Sequence, residues 1–284
     1  LKKLYTPSPT SHKGQNGKLL IIGGSKLFHA ASLWSLKVAS KIVDMVYYSS
    51  VDENNQIVRS AKEEFRDGIV VRRDNIEDYI QEADCILIGP GLPRLSGQEK
   101  GDDDTKELTE RLLKKYPEKR WVVDGGSLQT MNPMFIPQNA ILTPHQKEFE
   151  TLFYRVIPNL FRDLGSDSNK MLKQVQHDKE LEVAAKKYNC TILLKGPIDI
   201  VCSPQECVRV SGGNAGMTKG GTGDVLAGLV AALYCKNDAF LSASAGSYIN
   251  KKAGEELFKR VGYYFNASDL ADEIPKAMKE LIVK

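Results

Sequence analysis

Short, solidly apolar runs recur along this chain, and each ends in a small cluster of Gly, Pro, Asp, His or Lys. Residues 19–22 run into Gly23-Gly24-Ser25, 85–88 into Gly89-Pro90-Gly91, and 121–123 into Asp124-Gly125-Gly126. Residues 140–142 run into Thr143-Pro144-His145 and 191–194 into Lys195-Gly196-Pro197, with a further apolar run at 45–48. Helix-like stretches lie between them, the clearest at 30–43 through Leu33, Leu36, Ala39, Ile42 and Val43. Strands that are apolar on both faces and alternate with helices predict an α/β fold with a mostly parallel central sheet and helices on both faces. Residues 198–202 and 207–210 are expected to pair as a hairpin around Ser203-Pro204-Gln205-Glu206. Ligands of such sheets bind beyond the carboxyl ends of the strands. Gly, Pro and Asp at those ends are ordinary loop residues, but that does not account for Asp124, His145 and Lys195 recurring at one edge.

The densest signal is the segment 214–228, Asn-Ala-Gly-Met-Thr-Lys-Gly-Gly-Thr-Gly-Asp-Val-Leu-Ala-Gly. Gly220, Gly221 and Gly223 precede a helical pattern through Val225, Leu226, Leu229, Val230 and Leu233. A glycine turn entering a helix leaves free backbone N–H groups and the positive end of the dipole facing a ligand, which suits phosphate. Asp224 would repel a phosphate that merely binds. It makes sense where a phosphoryl group is transferred and a carboxylate takes a proton from the attacking hydroxyl. Its ordinary reading is a first-turn acidic residue favoured by the dipole.

The 39 basic and 36 acidic residues are too balanced to favour nucleic acid or an anionic membrane, and the scattered aromatics form no stacking platform. No apolar run approaches the ~20 residues that span a bilayer, and the first eighteen residues lack a signal core. Cys85, Cys190 and Cys235 sit in or beside apolar segments and read as buried thiols, with Cys202 and Cys207 the other two. An odd count without a pairing framework points to a reducing, cytoplasmic compartment. Asp102-Asp103-Asp104 are adjacent carboxylates that do not converge on one ion, and they read as a solvated loop entering an amphipathic helix. Residues 156–178 read as a surface insertion in what is otherwise one domain over 1–284.

Taken together and in this order, the motifs resemble those of the NAD(P)H-hydrate dehydratases of the ribokinase-like superfamily. The marks are Leu20-Ile21-Ile22-Gly23-Gly24-Ser25, Ile88-Gly89-Pro90-Gly91-Leu92, Val122-Val123-Asp124, Leu142-Thr143-Pro144-His145 with Glu148-Phe149, Leu194-Lys195-Gly196, and 214–228. The resemblance implies a three-layer ribokinase-like sandwich. It also implies a lyase that returns the S form of hydrated NADH or NADPH to the intact dinucleotide at the expense of ADP or ATP, with Mg²⁺. The ring hydroxyl would be phosphorylated and the phosphate eliminated. Asp224 would be the general base, with the amides of Gly221, Thr222 and Gly223 stabilising the phosphoryl oxygens. Lys195, Gly196, Pro197, Ile198 and Asp199, with Asn214, Gly220 and Gly223, match the nucleotide-binding positions. Gly91, His145, Ala31 and Asp224 match those that hold the hydrated cofactor.

Three of these assignments have an equally simple alternative. Lys195 reads also as a surface lysine at a strand end, His145 as a hydrogen-bonded loop residue, and Glu148, the candidate to hold Mg²⁺ through water, as an ordinary helix-start glutamate. The chain departs from the family pattern at Gln146-Lys147, where Pro-Gly is common, and at Asp124-Gly125-Gly126-Ser127-Leu128, where a second Asp is common. It departs again at Phe28-His29-Ala30-Ala31, which lacks a usual Gly. The sequence opens directly on the dehydratase pattern, so an epimerase for the R hydrate is expected either as a separate protein or as a part missing from this sequence, and the resemblance suggests a homo-oligomer. A superfamily kinase acting on a hydroxymethylpyrimidine or thiazole, and a nucleotide-binding homologue without turnover, fit the Gly-rich turn as well.

Overall fold

The strands that sequence reading finds assemble into one sheet, and their alternating side chains serve two different cores. The computed structural model describes residues 1–154 and 170–282. Nine strands lie in the order β3-β2-β1-β4-β5-β6-β7-β8-β9. β1 (Lys18–Ile22), β2 (Met45–Ser49), β3 (Ile69–Val70), β4 (Cys85–Ile88), β5 (Arg120–Val123), β6 (Ile141–Leu142) and β7 (Thr191–Leu194) are parallel. β8 (Asp199–Cys202) and β9 (Cys207–Val210) close the edge as the expected antiparallel hairpin.

Successive residues of a strand point to opposite faces. Leu20, Ile22, Ile86, Ile88, Trp121 and Val123 therefore pack one way, against α3 (Ile76–Glu82), α4 (Thr105–Lys115), α5 (Gly125–Thr130), α6 (Gln146–Phe153) and α7 (Lys170–Tyr188). Leu19, Ile21, Cys85, Leu87 and Val122 pack the other way, against α1 (His29–Ala39) and α8 (Thr222–Tyr234). A third cluster joins α1 and α8 to α9 (Ala239–Val261) and α10 (Ala267–Ile282). Trapped between the sheet and these outer helices, α8 buries every residue from Val225 to Tyr234, which is why its sequence is apolar all round.

Where the strand order reverses, between β1 and β4, a crevice opens at the carboxyl ends. Gly24 N donates to Pro90 O at 2.8 Å and Gly89 N to Ile22 O at 3.1 Å, so the two glycine loops are knitted together there.

Some expectations need correction. The edge strand β3 is not among the expected strands, although Ile69-Val70-Val71 is a short apolar run. The first helix stops at Ala39, and hydrogen-bonded turns carry the chain on to Val43. Cys85, Cys190 and Cys235 are buried thiols as expected, but Cys202 and Cys207 form a disulfide. They stand directly opposite each other in the β8–β9 register, so the hairpin itself brings them together. Of the aspartate triplet, Asp104 caps α4 by accepting from Glu107 N at 3.0 Å. Asp103 pairs with Arg73 at 2.6 Å, and Asp102 accepts from Lys26 N at 2.9 Å. These aspartates thus pin loops rather than face solvent freely. Of the segment 156–178, residues 156–169 lie outside the described residues and the remainder belongs to α7.

Candidate active site

Asp124 follows β5 and is 2% exposed. Its backbone is pressed against Gly89: a Cβ at Gly89 would stand 1.8 Å from Asp124 O, and Gly89 has φ +120°. A glycine is therefore required there. Asp124 Oδ1 accepts from Thr143 Oγ1, beyond β6, at 2.8 Å and from Lys195 Nζ, beyond β7, at 2.8 Å. Lys195 also lies 3.9 Å from Glu148 Oε2, and its side chain is 18% exposed, so it is not a surface lysine. Burial alone would lower its pKa, but Asp124, Glu148 and Asp224 outweigh that and hold the ammonium charged.

Glu148 and His145 form a capping box at the start of α6. His145 N donates to Glu148 Oε2 at 2.9 Å, and Glu148 N donates to His145 Nδ1 at 3.2 Å. Gln129 Nε2 donates to Glu148 Oε1 at 3.0 Å. An accepting Nδ1 leaves the imidazole proton on Nε2, and half of the His145 side chain remains exposed. The helix-start reading of Glu148 is thus correct as far as it goes, and the same cap fixes where its carboxylate points.

α8 begins on Gly221, which adopts φ +93°. A Cβ there would strike the Trp34 ring at 2.3 Å and Ala267 at 2.7 Å. Gly223 lies beside the ammonium, with its hypothetical Cβ 3.5 Å from Lys195 Nζ. The loop before the helix is braced from within: Thr222 Oγ1 donates to Met217 O at 2.6 Å and Lys219 O at 2.9 Å, and Lys219 Nζ donates to Tyr263 O and Phe265 O. Ser35 Oγ donates to Asp224 O at 2.7 Å, tying the first turn of α8 to α1. Burial, with the Asp124 carboxylate behind it, pushes the Asp224 carboxyl up to about 7, against the opposing pull of Lys195. A carboxylate poised near neutrality can take up and return a proton at physiological pH.

Beyond this charged cluster lies a cavity of about 620 Å³, lined among others by Lys195, Gly196, Gly213, Asn214, Gly223 and Asn250. Gly220 stands at open space, with no described atom within 4 Å of an added Cβ. Two of the expected nucleotide residues build the cavity rather than offer free polar groups. Asn214 accepts from Gly216 N at 2.9 Å and donates to Gly254 O at 2.8 Å. Asp199 accepts from Gly196 N at 2.9 Å and Ser247 Oγ at 2.7 Å. Pro197 lines the same cavity, while Ile198 is partly exposed at the turn.

On the other side, at the β1/β4 crevice, a Cβ on Gly91 would meet Phe28 O at 2.9 Å, Ala31 Cβ at 3.0 Å and Gly24 Cα at 3.1 Å. Gly91 and Ala31 are therefore neighbours. Ala31 lies one helical turn before Ser35, which holds Asp224, so this crevice adjoins the same first turn of α8.

Residues 19–276 match the family described as NAD(P)H-hydrate dehydratase. The chain belongs to that family. It is 36% identical over 98% of its length to the bifunctional NAD(P)H-hydrate repair enzyme Nnr of Methanocaldococcus jannaschii, of which the match covers 51%. It is 33% identical over 98% of its length to the ADP-dependent (S)-NAD(P)H-hydrate dehydratase of Nitrosopumilus maritimus, of which the match covers 95%. The chain spans about half the length of the bifunctional relatives. Its fold is similar to that of the Bacillus subtilis ADP/ATP-dependent NAD(P)H-hydrate dehydratase co-crystallised with ATP and Mg²⁺: TM-score 0.76, 22% identity, 97% of this chain and 93% of that one. The three-layer ribokinase-like arrangement expected from the sequence is the observed one.

Sequence reasoning missed the residues that position the others. Gln129, Ser35, Ser247 and Lys251 carry no motif, and Thr143, part of the Thr143-Pro144-His145 motif, had no role of its own. Asp124 stood out as a strand-end residue without an assigned partner.

Proposed function

We propose that this chain is an adenine-nucleotide-dependent dehydratase of the S form of hydrated NADH and NADPH. The observation that carries the reading is a half-buried carboxylate, Asp224, in the first turn of a glycine-headed helix. Beside it a charged lysine, Lys195, abuts Gly223. Helix N–H groups and an ammonium suit a phosphoryl group, and the carboxylate suits the hydroxyl that attacks it.

In the proposed reaction Asp224 takes the proton of the ring hydroxyl as its oxygen bonds to the terminal phosphorus of the nucleotide. The bond from that phosphorus to its bridging oxygen breaks, and ADP leaves as AMP (ATP as ADP). The ring nitrogen then pushes out the new phosphate ester as inorganic phosphate, and a proton is lost from the neighbouring ring carbon. The amides of Gly221 and Gly223, at the head of α8, take the phosphoryl oxygens, while the Thr222 amide, expected to join them, instead donates to Lys219 O at 3.3 Å. The hydrated ring occupies the crevice by Gly91 and Ala31, and the nucleotide fills the cavity beyond Lys195, which His145 also lines. ADP is the proposed donor, in keeping with the Nitrosopumilus relative.

Mg²⁺ enters on the nucleotide phosphates. Among the described residues no group of three or more His, Cys, Asp or Glu is placed to hold a metal, which suits an ion that keeps its waters. Each Glu148 oxygen accepts a hydrogen bond, from Gln129 or from His145, and retains acceptor capacity for a metal-bound water. When bound, the ion offsets phosphate charge.

The exposed apolar residues Phe258, Val261, Tyr263 and Tyr264 favour self-association as a homo-oligomer. Dependence on reduced dinucleotides and ADP favours a cytoplasmic location. Among the described residues no helix is long and apolar enough to cross a membrane.

Product analysis tests the reading. Hydrated NADH with ADP and Mg²⁺ should yield NADH, AMP and free phosphate in equal amounts. A stable phosphate ester, with no NADH formed, would make the protein a kinase of the same fold.

A further inference from the structure

Lys251, on α9, is a buried lysine that the reaction above does not use. It is 5% exposed and lines the nucleotide cavity. An ammonium this deep must replace its lost hydration with protein oxygens. Its Nζ lies 3.1 Å from Gly196 O, 3.2 Å from Pro197 O, 3.5 Å from Gly212 O and 3.4 Å from Asp199 Oδ1. Two of these oxygens belong to the turn after β7, one to Asp199 at the start of β8, and one to the segment after β9. Ser247, one helical turn earlier on α9, holds the other Asp199 oxygen at 2.7 Å. Carbonyls and a carboxylate gathered around one positive point are the donor set that binds a monovalent cation in place of water.

We propose that Lys251 is a positioning residue that serves as a built-in monovalent cation, clamping the Gly196-Pro197 turn to Gly212 and so holding the nucleotide cavity open in its binding shape. Lys195 and Gly223 mark the phosphate end of that cavity, so the clamp shapes the end that receives the base and ribose. Preforming a site lowers the ordering cost of binding. The effect therefore falls on nucleotide affinity and not on proton transfer at Asp224. The inference rests on the nucleotide-binding reading above.

The test is calorimetric titration of ADP and ATP into the wild type, Lys251→Ala and Lys251→Met, with Lys251→Ala repeated in ammonium, n-propylammonium and tetramethylammonium chloride. Both variants should bind nucleotide at least about tenfold more weakly, the scale of losing charged hydrogen bonds. Their nucleotide KM should rise while kcat changes little. Ammonium or n-propylammonium should restore much of the affinity of Lys251→Ala, and tetramethylammonium, which cannot donate, should not. Wild-type affinity in the variants overturns the inference, and so does weakened binding that no small ammonium ion restores. If Lys251→Ala does not fold, Lys251→Met decides by its KM: it keeps the aliphatic stem, and an unchanged value overturns the clamp. A wild type that binds neither nucleotide overturns the nucleotide reading itself and this inference with it.

Discussion

Lys195 Nζ and Asp124 Oδ1 are 2.8 Å apart across the intervening strand β6, whose following residue Thr143 donates to the same oxygen at 2.8 Å. The aspartate is buried and the lysine largely so, and the pair lies next to Gly223 and Asp224, to which the proposed reaction is assigned. Asp124 holds the lysine beside Gly223, and its charge also raises the proton affinity of Asp224.

The pH dependence of turnover follows from that second effect. Asp224 must be ionised to act as a base, so kcat should rise with pH through an apparent value near its pKa of about 7. Asp124→Asn removes a negative neighbour that raises this pKa while Lys195 continues to lower it. The rising limb should move to lower pH, with a lower plateau because Lys195 loses its anchor. Steady-state pH profiles of the two proteins check this, and a limb that stays in place or moves up would show that Asp124 does not govern Asp224.

Asp224 should also cost stability. Its folded pKa, about 7, lies above the ordinary 3.8. From pH 3.8 to 7 the unfolded chain ionises this group while the fold resists doing so, and stability falls across that window and stays reduced above it. Asp224→Asn should therefore be more stable than the wild type at pH 8, by about 1–3 kcal/mol, and the gain should vanish below pH 4. Denaturant melts at the two pH values measure both.

Gly220 and Gly221 are adjacent but should differ sharply. Gly221→Ala puts a methyl into Trp34 from a left-handed backbone, which should cost about 1–3 kcal/mol and distort the head of α8. Gly220→Ala enters open space and should change stability by less than about 0.5 kcal/mol. Thermal melts of both separate a glycine required by the fold from one that the fold does not need.

Much of this was legible in the sequence because it depends on local pattern. Solid apolar strands ending in polar motifs dictated a parallel sheet, and three glycines at the head of an apolar helical run pointed to a helix start suited to an anion. Asp224, Lys195 and the loops after β1 and β4 could be placed on that basis. The rest depends on tertiary proximity. Nothing in the spacing of Asp124, Thr143 and Lys195 says that one oxygen joins them, because the strand order decides it. Cys202 and Cys207 look unpaired until the β8–β9 register sets them opposite each other. Lys251 resembles any helix lysine until the turn after β7 and the segment after β9 close around its ammonium. β3 escapes the sequence reading although Ile69-Val70-Val71 is apolar, because the run is only three residues long and stands at the sheet edge.

The most direct test is recovery of absorbance at 340 nm when hydrated NADH is mixed with Mg²⁺ and ADP, ATP or no nucleotide, using the wild type and Asp224→Asn. The wild type should regenerate NADH only with nucleotide. Asp224→Asn should still bind the nucleotide but regenerate NADH at least about 10²-fold more slowly, the loss typical of removing a general base. Equal rates in the two proteins, or recovery that needs no nucleotide, would contradict a phosphoryl-transfer dehydration driven by Asp224.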